Sequence, residues 1–195
     1  MDRDELHHLL VQARAGDPAA ATALLREFEP ALRREARLML DDEQLRPVVE
    51  ASDIVQSACA LFFLRLRAGQ FDLEHPGQVA NLLAQLARNR VRSHREKHRA
   101  GKRDRRLVEG EAALASVADP GGDPASVVER RDLLERLLDR LAPEARVIAG
   151  LRAAGQAWPE IAAGRGMSPD AVRKQYERAI DRALEAMGLK EPDDA

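Results

Sequence analysis

The chain has 195 residues, 45% of them apolar and 33% charged, with a formal net charge of −2; that is enough to bury one or two modest cores. Aromatic residues make up only 3%, and Ala, Leu, Arg and Glu dominate, residues that lose little side-chain entropy in helices while few β-branched runs compete, so the expected class is all-α. The one cysteine, Cys59, excludes an intrachain disulfide and a thiolate zinc cluster, and no stretch approaches the roughly 18 apolar residues of a membrane helix.

In chain order, the first predicted helix runs from Glu5 to Arg14 and stops near Gly16. Asp17 and Pro18 suit the cap and first position of a second helix, whose apolar residues Leu24, Leu25, Phe28, Leu32 and Met39 recur every three or four positions until Asp41 and Asp42 close the pattern. Ser52 is a candidate cap for a third helix reaching about Ala68, with Gly69 as its stop; Ile54, Val55, Ala58, Leu61, Phe62 and Leu66 give it a broad apolar face that takes in Cys59 as a core thiol. After His75-Pro76-Gly77 a fourth helix is predicted from about Gln78, carrying Val79, Leu82, Leu83, Leu86, Ala87 and Val91 before it turns strongly basic.

The modest net charge hides a separation. Residues 85–106 hold ten Lys or Arg against two acids, whereas residues 109–144 hold nine acids against four Arg, which implies a local electrostatic footprint. Periodicity is lost after Gly101, and Asp119-Pro120-Gly121-Gly122-Asp123-Pro124 is linker chemistry. Ser126 to Glu129 matches a capping box opening a new helix with Leu133, Leu134, Leu137, Leu138 and Leu141 inside, and shorter helices follow from Pro143 to about Ala154, Trp158 to Ala163 and Ser168 to about Met187. The expected organisation is residues 1–100 as one helical domain, 101–125 as a flexible linker, 126–190 as a second helical domain, and 191–195 as a tail.

The sharpest local signal spans Trp158 to Tyr176. Ile161, Met167 and Val172 can pack between crossing helices, Ala162 permits close approach, Gly166 permits a turn, and Ser168-Pro169 caps and starts the next helix; together they specify a helix-turn-helix. On its second helix Val172, Tyr176, Ile180 and Leu184 form a buried stripe, leaving Arg173, Lys174, Glu177, Arg178 and Arg182 outside. Gln175 joins them as a group able to reach base edges in a major groove while the cations contact phosphates. A helical hairpin with solvated charges is the plainer alternative.

Three blocks in order resemble the extracytoplasmic-function (ECF) sigma factors of the sigma-70 family. Asp53-Ile54-Val55-Gln56 followed by an apolar helix and Phe71-Asp72 is similar to the family's core-polymerase-binding segment. Leu86 to Arg95 is similar to its minus-ten segment, and Leu141-Ala142-Pro143-Glu144-Ala145-Arg146 leading into the helix-turn-helix is similar to its minus-thirty-five domain. Leu82, Ala157 and Arg165 depart from the residues many relatives carry there. The resemblance implies two small helical domains on a tether, the second a helix-turn-helix of the winged-helix-like kind. It implies a factor that binds core RNA polymerase and directs promoter-specific initiation, with Asp53 and Gln56 on polymerase, and Arg88, Asn89, Arg92, Ser93 and Arg95 on the minus-ten strand. Arg173, Lys174, Gln175, Glu177, Arg178 and Arg182 fall to the minus-thirty-five DNA; an anti-sigma protein is a further partner that the resemblance admits.

Other function classes fare less well. His94 and His98 are one helical turn apart but lack the His-Glu-x-x-His order and a third ligand, no glycine run is followed by the Lys-Ser or Lys-Thr of a phosphate loop, and no Ser, His and Asp grouping has a nucleophile's context. No catalytic residue, metal or cofactor is expected. The N-terminus has no basic start with an apolar run behind it, so a cytoplasmic protein without membrane contact is expected. The alternative is a stand-alone helix-turn-helix regulator with a ligand-sensing or dimerising N-terminal domain, which would need neither the Asp53 to Gln56 edge nor the basic run; a third reading is a protein-binding adaptor without DNA affinity.

Overall fold

The computed structural model describes the backbone of residues 1–40, 50–100 and 124–190 and, within these, the side chains outside 97–100 and 124–130. Eight helices and no strand occur among the described residues: α1 (Arg3–Arg14), α2 (Pro18–Met39), α3 (Ala51–Arg67), α4 (Pro76–Ala100), α5 (Pro124–Asp139), α6 (Pro143–Ala153), α7 (Trp158–Ala163) and α8 (Pro169–Ala186). The all-α class is therefore as the composition predicts. Asp41, Asp42, the greater part of the expected linker and the tail lie outside the described residues.

Local chemistry explains most helix starts. Asp2 accepts from Glu5 N–H at 2.8 Å and Asp17 from Ala19 N–H at 2.8 Å, each satisfying an orphan donor of the first turn, and Pro18 needs no such partner. α1 begins at Arg3 and α4 at Pro76, each two residues earlier than the periodicity predicts. At α3 the expected Ser52 cap is corrected: Glu50 holds the N-cap, its N–H donates to Asp53 Oδ2 at 3.3 Å, and Ser52 lies inside the first turn, donating to Glu50 Oε2 at 3.2 Å. The expected cap at Ser126 is also corrected, since α5 starts at Pro124 and takes Ser126 into the helix.

α3 is the centre of the molecule. Every residue of 58–66 is buried, so this stretch of the helix has no solvent face and needs neighbours on all sides, as an apolar segment of this kind must. α1, α2 and α4 pack around it from the N-terminal half, and α5 packs on it from the C-terminal half. Phe62 meets Phe63 edge-on with centroids 5.2 Å apart and stacks on Phe71 at 6.2 Å. The buried apolar residues of both halves form one continuous cluster, from Leu6 to Leu189.

The end of α3 is closed by the C-terminal half. Gly69 stands at φ 74°, ending the helix, and a Cβ added there would meet Arg152 Cβ at 2.8 Å. Tyr176 Oη donates to Ala68 O at 2.6 Å, Arg152 Nε donates to Gly69 O at 2.9 Å, and Arg65 pairs with Asp181 at 2.7 Å. Within the C-terminal half, α7 and α8 pack on one another, and α8 rests on α5 and α6.

Two expected outcomes follow from this packing. Burial, aided by the Glu29 carboxylate, pushes the Cys59 thiol from 9.0 up to about 12; a raised pKa means its contribution to stability is complete below pH 9.0 and lost as pH rises towards 12. A disulfide exchange reagent at pH 8 should leave the native thiol untouched and titrate it fully in denaturant, whereas rapid native reaction would mean an open core. Gly69→Ala combines left-handed strain of about 1–2 kcal/mol with the Arg152 clash, so thermal unfolding should show a fall in Tm of at least about 2 °C.

Candidate functional site

Three exposed polar surfaces hold the residues singled out in the sequence, each on a different helix. The first is the N-terminal edge of α3. Asp53 and Gln56 are both exposed there, one helical turn apart on one side. Asp53 spends one carboxylate oxygen on the Glu50 N–H, so the plainer role of a helix-start acid is also filled. Beside this edge an open groove of about 220 Å³ is lined by Leu25, Glu29, Arg33, Ser52, Val55, Gln56 and Cys59. The contribution of α2 through Leu25, Glu29 and Arg33 escaped the sequence reading, although Glu29 and Arg33 have the four-residue spacing of the helical ion pair they form.

The second surface is the basic half of α4. Arg88 and Arg92 are exposed, and Asn89, Ser93 and Arg95 are half-buried. Their contacts tie this face to its surroundings: Arg88 pairs with Glu35 of α2 at 2.9 Å, Arg95 donates to Met39 O at 3.1 Å, Asn89 accepts from Gln85 at 3.1 Å, and Arg92 stands 4.0 Å from Glu96. Arg90, in the middle of the run, is buried and faces inward, between Asn89 and Val91. The cations of this stretch therefore divide between holding α2 and facing water.

The third surface is the outer face of α8. Ser168 caps the helix by accepting from Ala171 N–H at 3.2 Å, and Gly166, at φ 63°, makes the turn that leads into it. Val172, Tyr176, Ile180 and Leu184 are fully buried, as the periodicity predicts, and Arg173, Lys174, Gln175, Glu177, Arg178 and Arg182 all face solvent. Arg173 pairs with Asp170 at 3.1 Å, while Arg178 and Arg182 each donate to the carbonyl one turn back, at 3.3 and 3.2 Å. Ile161 and Ala162 are buried between the helices as expected, but Met167 is corrected: it is 40% exposed, because the backbone reversal at Gly166 turns it outward. Ala157, which has no side-chain cap to offer, leaves that role to Glu160, which accepts from its N–H at 2.9 Å.

The described residues include no group of three His, Cys, Asp or Glu able to hold a metal ion, and the side chain of His98 lies outside them. The two upward pKa shifts, at Cys59 and Tyr176, have burial as their main cause and concern core groups. No described helix is long and apolar enough to cross a membrane.

The Arg88–Glu35 pair is 50% and 39% exposed, a setting in which ion pairs contribute roughly 0–1 kcal/mol. Glu35→Gln should therefore leave Tm within about 4 °C of the parent; a larger fall would make the pair a structural fastening instead of a releasable one. Compared with known proteins, the chain matches the family model described as ECF sigma factor over residues 3–187. No curated protein and no solved structure matches it.

Proposed function

The chain belongs to the ECF sigma factor family, whose members act in promoter-specific transcription, and from that membership we propose that it binds core RNA polymerase through α3 and reads promoter DNA through α4 and α8. The observation that carries this reading is the family match over residues 3–187, a span that contains all three surfaces.

Asp53 and Gln56, with the groove behind them, supply polar groups and an apolar floor to a helix of polymerase. A partner there would gain hydrogen bonds at the rim and burial at Leu25 and Val55. Arg88, Asn89, Arg92, Ser93 and Arg95 suit an opened minus-ten strand, whose phosphates need cations and whose bases need amide or hydroxyl partners. Glu35 holds Arg88 until a phosphate replaces it. On α8, Arg173, Lys174 and Gln175 lie in the first two turns, the part of a recognition helix that reaches base edges, while Arg178 and Arg182 lie farther along where phosphates run and Glu177 can accept from a cytosine amino group.

In this mechanism the chain contributes no bond-breaking group. It positions the polymerase, and the two DNA contacts multiply one another because binding at one raises the effective concentration at the other.

The test is co-purification with bacterial core polymerase followed by transcription from a promoter library. Binding weakened by Asp53→Ala or Gln56→Ala, with initiation from a defined promoter subset, is the expected result. DNA binding without polymerase binding would favour the stand-alone regulator instead. For the upstream contact, Arg178→Ala should weaken promoter affinity evenly across sequences and reduce the log–log salt slope by about 1, while Gln175→Ala should relax preference at one base position.

A further inference from the structure

The solvent face of α8 carries acids among its cations: Asp170 and Glu177 are exposed there together with Arg173, Lys174, Arg178 and Arg182. An acid on a surface that meets phosphates repels them and weakens binding to every duplex alike, so its presence calls for a reason. The start of α8 does not supply one for Asp170. Ser168 already accepts from Ala171 N–H at 3.2 Å, and Pro169, at the first helical position, needs no acceptor.

The Asp170 carboxylate is engaged elsewhere. Its Oδ1 accepts from Arg173 Nη2 at 3.1 Å, across one turn of the helix. Arg173 is 54% exposed and Asp170 78%, a setting in which an ion pair adds little to stability. What the pair does fix is direction. A free arginine side chain spreads over many rotamers, and that freedom is lost when a partner must be met in one of them. Asp170 occupies one of the five guanidinium N–H donors and leaves four, enough for the two bonds that guanine O6 and N7 accept. A phosphate asks mainly for positive charge, whereas the guanine edge asks for a fork held in one plane.

We propose that Asp170 is a positioning residue that makes Arg173 the reader of one guanine: it holds the guanidinium ready for the base edge, and its own charge keeps phosphates from taking that guanidinium. This rests on the promoter reading above. Arg178 and Arg182 donate to carbonyls of their own helix, which leave their charge unbalanced, and so remain suited to phosphates. An acid that served only the positive end of the helix dipole would change stability and leave base preference alone.

The test is selection from a duplex library randomised over both promoter elements, made with the full chain bound to core polymerase, alongside affinity for a duplex of random sequence. The parent should select guanine at a position that depends on Arg173. Arg173→Ala should lower that preference about 5- to 150-fold. Arg173→Lys, which keeps the charge and loses the fork, should lower it too. Asp170→Asn should relax the same position by at least about 2-fold. The same variant should bind the random duplex more tightly, with circular dichroism unchanged. In the Arg173→Ala background, Asp170→Asn should leave the preference where it stands. A guanine preference that survives Asp170→Asn overturns the proposal, and so does a relaxation that persists without Arg173, which would make Asp170 a base contact itself. A parent complex that selects sequences with no guanine dependent on Arg173 overturns the proposal alone. A parent complex that selects no sequence at all overturns the promoter reading and the proposal with it.

Discussion

A helix with no solvent face dictates the rest of a small fold, and residues 58–66 of α3 form such a helix. Its apolar side chains call for α1, α2 and α4 around most of the circumference, and α5 covers what they leave. Within it Arg65 is buried at 7% exposure, and a guanidinium so placed costs several kcal/mol unless paired. Asp181 is the answer to that need, and it arrives on α8. Burial of one helix thus draws in the C-terminal half as well as the N-terminal one, which is why a chain with two expected domains has one continuous apolar cluster among its described residues.

Where a signal is local, the sequence carried it. α7 has the bounds that Trp158 and Gly164 mark, Ser168-Pro169 opens α8 as its capping chemistry requires, and the buried stripe Val172, Tyr176, Ile180 and Leu184 defines by exclusion which side of α8 meets water. Ser52 has the better intrinsic cap chemistry, but the neighbouring Asp53 favours Glu50 by accepting from the Glu50 N–H. Tertiary partners were the invisible part. Nothing local marks Arg152 and Arg65 for the interior, since charge in a helical pattern is ordinarily solvated, and only partners 80 to 116 residues away explain their burial. The same holds for Arg88 and Arg95, whose type was legible but whose attachment to Glu35 and Met39 was not.

On the function proposed above, that attachment gives the basic half of α4 two tasks. Arg88 and Arg95 reach across to α2, so cations suited to an anionic partner also fasten the helix beside them. An exposed pair of this kind holds weakly and yields to a stronger anion, whereas Arg90, buried in the same run, does not offer itself to one. A single basic stretch is thereby graded from structural to available, and composition alone treats all its members alike.

The capping of α3 by Arg152 and Tyr176 also has a consequence in time. The donors lie 83 and 108 residues beyond the carbonyls they serve. At roughly 5–20 residues per second of synthesis, the end of α3 is made some 5–20 s before Tyr176. For that interval the donors of Ala68 and Gly69 do not yet exist and only water can cap the last turn of α3, so the order of translation makes one half of the protein before the other half is there to close upon it.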